Sequence, residues 1–115
     1  MKITRVYTGD DGESHFEDVD LDVHADKTHM LTHGVPTSEI IFRTTPADAF
    51  ADFHNPPRRQ YTINLEGTIE LESGTGEKCV LGPGTVMLVE DLTGRGHISR
   101  GIAGEARRSI VVGLD

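Results

Sequence analysis

The chain has 115 residues, 36% hydrophobic and 26% charged, which is enough to bury a core as one domain without staples. A formal net charge of −8, 5% aromatic content and no tryptophan exclude the basic face that nucleic acid requires and the attraction to anionic membrane surfaces. No apolar run approaches a membrane span, MKITRVY lacks a signal peptide's apolar core, and one cysteine, Cys79, cannot form an internal disulfide; together these predict a reducing, cytoplasmic setting.

Residues 1–8 alternate, with Ile3, Arg5 and Tyr7 on one face and Thr4, Val6 and Thr8 on the other, and predict a strand. Gly9-Asp10-Asp11-Gly12 is a turn by composition. Residues 15–23 predict a half-buried strand with a one-residue slip near Asp18, read as a bulge. Residues 24–38 carry His24, His29 and His33 in a turn-rich stretch. No regular element aims these histidines at one metal, so a surface loop is expected. Residues 39–45 (EIIFRTT) predict a strand, and residues 46–53 read either as one helical turn or as an irregular edge strand, with a turn first at Pro46.

From Arg58 to Leu65 the residues alternate again. Arg58, Gln60, Thr62 and Asn64 share one face, and Arg59, Tyr61, Ile63 and Leu65 the other. Glu66-Gly67 interrupts the pattern, which resumes through Ile69 and Leu71. Residues 73–77 predict a hairpin loop and residues 78–81 a short strand, in which Cys79 reads as a buried structural thiol rather than a nucleophile. Gly82-Pro83-Gly84 predicts a tight turn, residues 85–90 a strand, residues 93–96 a loop, and residues 97–102 and 107–114 the last strands. Many short strands with Gly-rich turns and no long helix predict an all-β fold, sandwich or barrel.

Ile63-Asn64-Leu65-Glu66-Gly67, then Leu81-Gly82-Pro83-Gly84 before Val86-Met87-Leu88-Val89, with His97 closing the stretch, resemble the two motifs of the cupin superfamily. The N-terminal YTGDDGESHFEDVD resembles the start of small bacterial single-domain cupins. The resemblance implies a cupin-like double-stranded β-helix (jelly-roll) barrel over residues 1–115, with core motifs at 54–67 and 81–97. It also implies a small-molecule ligand inside the barrel and a homodimer. By motif position it implies metal ligands at His54, His97 and Gln60, holding one divalent transition metal (Fe, Mn, Ni or Zn). The chain departs from the pattern at Pro56, in place of the second histidine, at Gln60, in place of the carboxylate, and at Thr85, in place of the aspartate after Pro-Gly. Two imidazoles fall short of a complete set, so Asp52, Glu90, Asp91, His15 and Glu17 are candidates to complete it.

Three residues are candidates for chemistry. Gln60 would orient water or substrate. Glu90, beside the like charge of Asp91, would act as general base or metal carboxylate. Arg43, alone in an apolar strand, would clamp a carboxylate or phosphate. Plain solvation is the alternative for each, as it is for Thr62 and Asn64, and Arg107-Arg108 are expected to be solvated. Gly94, Gly96 and Gly101 give a flexible approach to His97 without a phosphate-loop signature. Three functions stay open: a metal-dependent isomerase, lyase or dioxygenase acting on a small polar or carboxylated molecule; a non-catalytic binding module; and a structural dimer in which Tyr61, Ile63 and Leu65 lie in an interface or in the core.

Overall fold

Strands form where side chains alternate and stop where glycine or proline breaks the ladder. The computed structural model describes residues 1–115. In chain order the strands are β1 (Lys2–Thr8), β2 (Ser14–Asp20), β3 (His24–Ala25), β4 (Met30–Leu31), β5 (Thr37–Thr45), β6 (Phe50–His54), β7 (Gln60–Glu66), β8 (Thr68–Ser73), β9 (Lys78–Leu81), β10 (Val86–Val89), β11 (His97–Ile102) and β12 (Arg107–Leu114). The chain is all-β, and no helix is long and apolar enough to cross a membrane.

Six strands pair in the order β2-β1-β10-β7-β12-β5 and four in the order β6-β11-β8-β9. Strand β1 runs parallel to β10; the other neighbours are antiparallel. The sheets face each other across one core cluster, with Val6, Met87 and Val89 from the larger sheet and Ile69, Leu71 and Leu81 from the smaller. Cys79 packs against this cluster half-buried, and burial pushes its thiol pKa up. The closed barrel that the resemblance implies is corrected here. β2, β5, β6 and β9 each pair on one side only, so side chains rather than a ladder join the sheets.

Two local expectations also change, and a third resolves to one of its alternatives. The β1–β2 ladder runs without a slip from Lys2 opposite Asp20 to Thr8 opposite Ser14, so there is no bulge at Asp18. The expected loop at 24–38 contains the small β3–β4 hairpin, whose turn is shaped by Asp26 Oδ1 accepting from the backbone N–H groups of Thr28 and His29 at 2.8 and 2.7 Å. Its histidines stay exposed. Residues 46–49 make a turn, closed by Ala49 N–H donating to Pro46 O, and β6 follows as an edge strand.

The pleat of β7 runs opposite to the simplest rule of apolar inside and polar outside. Gln60, Thr62 and Asn64 point inward at 6%, 4% and 1% exposure. Tyr61 and Ile63 are half-buried on the outer face, where Ile40, Phe42 and Leu65 are exposed. Two members of the inner polar row are held by side-chain hydrogen bonds, Gln60 through Oε1 and Asn64 through Nδ2, while Asn64 Oδ1 has no partner. Asn64 Nδ2 donates to Gly67 O at 2.8 Å and to Gly82 O at 3.0 Å, while its backbone pairs with Thr85 and Gly84. One side chain thus fastens both corners. Asn64→Ala strands two carbonyls and is expected to cost about 3 kcal/mol; urea unfolding with an unchanged m-value checks this, and a loss below about 1 kcal/mol would contradict it.

Candidate functional site

Polar inner faces leave space where the apolar core ends. A cavity of about 120 Å³ opens there, floored by Ile69, Leu71, Met87 and Val89 and walled by Arg43, His54, Gln60, Thr62, His97, Ser99 and Arg107, with Pro56 and Pro57 alongside. Among the residues singled out by sequence, the structure therefore gathers His54, His97, Gln60 and Arg43 at one place.

His54 ends β6 and His97 begins β11, and the two are direct cross-strand partners. Their ring centroids lie 4.8 Å apart with the planes tilted by 56°. Gly96 makes this possible. Its φ is +76°, and a Cβ there would overlap the carbonyl of His54.

Asp91 continues the inner face of β10 after Met87 and Val89, and it is fully buried. Its Oδ2 accepts from His97 Nδ1 at 2.6 Å and from the Ser14 hydroxyl at 2.6 Å. Ser73 donates to the Ser14 carbonyl, and Asn55 Nδ2 donates to the Asp91 carbonyl at 2.9 Å. Asp91 Oδ1 has no partner. Facing a carboxylate oxygen that also accepts from Ser14, the ring donates through Nδ1, and Nε2 is the ring nitrogen left for the cavity. His54 Nδ1 likewise donates to the carbonyl of Asp52 at 2.8 Å.

The arginines divide sharply. Arg5, Arg58, Arg59, Arg95, Arg100 and Arg108 all pair with carboxylates. Arg43 donates only to the Ser109 hydroxyl at 3.2 Å, and Arg107 has no ion-pair partner. Burial pushes both pKa values below the ordinary arginine range, with Arg58 adding to the effect at Arg43 and Arg43 adding to it at Arg107. Water still reaches Arg43, which softens the effect there; Arg107 is half-buried. The expected solvation of the Arg107-Arg108 pair is corrected for Arg107. It shares the inner face of β12 with Ser109, diagonal to Arg43, while Arg108 points outward to Glu66.

Glu90 lies outside the cavity lining, on the outer side of β10. Burial alone would raise its carboxyl pKa, but hydrogen bonds from Arg59 and Arg5 hold it below the usual range. Both oxygens are engaged. Of the other candidates to complete a metal set, Asp52 accepts from the Phe53 N–H, His15 pairs with Asp11, and Glu17 pairs with Arg5. Gln60 stays at the wall, its Oε1 accepting from Arg58 Nη1 at 2.8 Å.

No three His, Cys, Asp or Glu side chains gather as a metal-holding cluster. The same cavity carries two unpaired guanidinium groups, which repel a divalent cation. The donor set at His54, His97 and Gln60 therefore does not fit the metal centre implied by the resemblance. In the sequence Asp91 stood only as one candidate to complete a metal set and Arg107 as a solvated residue, although both continue a period-two inner face: Met87, Val89, Asp91 and Arg107, Ser109, Val111.

No family model matches the chain, and no curated protein matches it. Gly96→Ala forces apart the strands that carry the two histidines and is expected to cost about 2 kcal/mol or more, whereas Gly34→Ala, in open space, stays within about 0.5 kcal/mol. Equal effects in chemical denaturation would refute this.

Proposed function

We propose that this chain is a cupin-type protein that binds a small carboxylated molecule between its sheets, with Arg43 and Arg107 as the anion clamp. The observation that carries the reading is charge pairing. In a chain of net charge −8, two arginines alone lack a carboxylate partner, and both line the same cavity. A guanidinium presents a planar fork of donors that matches a carboxylate. The Gln60 amide, the Thr62 hydroxyl and the two imidazoles offer further polar contacts. At about 120 Å³ the space is roughly that of four water molecules, which points to a short ligand. The cupin-type double-stranded β-helix draws support from the Leu65-Glu66-Gly67 corner, the Gly82-Pro83-Gly84 turn and the pairing of His54 with His97.

Calorimetry with acetate, pyruvate, 2-oxobutanoate, lactate and malonate tests the clamp. At least one acid is expected to bind with a Kd below about 1 mM, with affinity falling as salt rises. Arg43→Met and Arg107→Met should each weaken it by about tenfold or more. If no acid binds, the reading is wrong.

The same reading makes the chain a homodimer through the outer face of the larger sheet, where Ile40, Phe42 and Leu65 are exposed at 58%, 75% and 43%. Light scattering should give twice the chain mass, and Phe42→Glu should shift it toward one chain. A wild-type monomer at high concentration counts against the dimer.

A further inference from the structure

We propose that Asp91 and His97 form a proton-transfer pair and that the cavity enolises short 2-oxo acids. The proposal rests on the anion-binding reading and adds chemistry to it. A binding pocket needs polar contacts, but it does not need a carboxylate with no access to water. Asp91 is 0% exposed, and its Oδ1 has no partner. Such burial is costly unless the group is paired and hydrogen-bonded. Here it fixes the His97 tautomer through Nδ1, and Ser14 holds the same oxygen from the other side. His97 is itself buried at 5% exposure and lines the cavity. A buried carboxylate, an imidazole oriented by it and a free ring nitrogen facing a pocket form the arrangement of a general base with its positioning residue.

The two guanidinium groups narrow the substrate class. One holds a carboxylate; the other faces an adjacent oxygen. In a 2-oxo acid that oxygen is a ketone, and it can receive an electron pair. His97 Nε2 takes a proton from the carbon beyond the ketone. The C–H bond breaks, an N–H bond forms, and the pair becomes a carbon–carbon double bond with an enolate oxygen. The guanidinium stabilises that oxyanion, and Asp91 faces the imidazolium formed. Return of a proton to carbon restores the keto acid, so no oxidant or reductant is required.

The test uses the full chain with pyruvate and 2-oxobutanoate in D2O. Proton NMR follows loss of the methyl or methylene signal, and calorimetry follows binding of the same acid. Exchange is expected at least about a hundredfold above buffer. His97→Gln, which keeps a donor for Asp91, should return exchange to background while the acid still binds measurably. Asp91→Asn, outside the cavity lining, should slow exchange about thirtyfold or more while Kd moves less than about threefold. Imidazole added to His97→Ala should restore part of the rate, which a structural role for the ring would not give. Binding of a 2-oxo acid without exchange overturns the proposal and leaves the anion site intact. Binding of lactate or malonate but of neither 2-oxo acid overturns the substrate class, and with it the proposal. Failure of every acid to bind overturns the anion site itself. If Asp91→Asn does not fold, wild-type exchange and the His97 variants decide the matter.

Discussion

Burying a carboxylate is the constraint on which the rest of this structure turns. Asp91 sits at no measurable exposure where five segments meet: the end of β10, the start of β2, the end of β8, the start of β11 and the stretch after β6. A charge in that position has to be supplied with donors from elements distant in sequence. Ser14 and His97 supply them to the carboxylate, while Asn55 donates to the Asp91 backbone carbonyl and Ser73 to that of Ser14. The network aligns the two sheets at one end, and Asn64 does similar work at the corners. Between these two polar anchors the apolar cluster around Leu71 fills the gap. The cavity is the remainder, where neither anchor nor cluster reaches.

Charge placement follows from this geometry. An acidic chain has carboxylates to spare, and its outer arginines take them up. Arg5 and Arg59 share Glu90, and Arg100 spans Glu70 and Glu72. Exposed pairs of this kind contribute little to stability. They do leave Arg43 and Arg107 as the two arginines without a carboxylate partner, lining one space from adjacent strands. Arg43, exposed, and Arg107, half-buried, both line the cavity without such a partner.

The strand layout was legible in the sequence because it depends on local signals. Alternation, Gly-Pro-Gly and the Glu66-Gly67 break each mark a boundary without reference to distant residues. The pairing of His54 with His97 was accessible through motif position, and the geometry of the pair agrees. Closure of the barrel was not legible, because whether edge strands meet depends on side-chain packing between sheets. Arg107 and Asp91 show a second limit. Each sits beside a residue of like charge, Arg108 and Glu90, and only the phase of the pleat says which of the two points inward. Glu90 attracted attention as the nearer carboxylate, yet it faces out and is occupied by arginines. A period-two count carried one residue past the apparent end of β10 would have selected Asp91 instead.

Strand β5 brings one further consequence. It pairs only with β12 and is exposed along most of its length, yet it carries Arg43. Edge strands of this kind open locally at less cost than the whole domain unfolds. Under the proposed anion-binding reading, each such excursion would remove half of the clamp, and apparent affinity would fall by the fraction of time the edge is peeled away. By reciprocity, an occupied cavity damps the breathing of β5 and slows amide exchange along it more than in the central strands. Ligand strength and edge fraying are then two readings of one equilibrium.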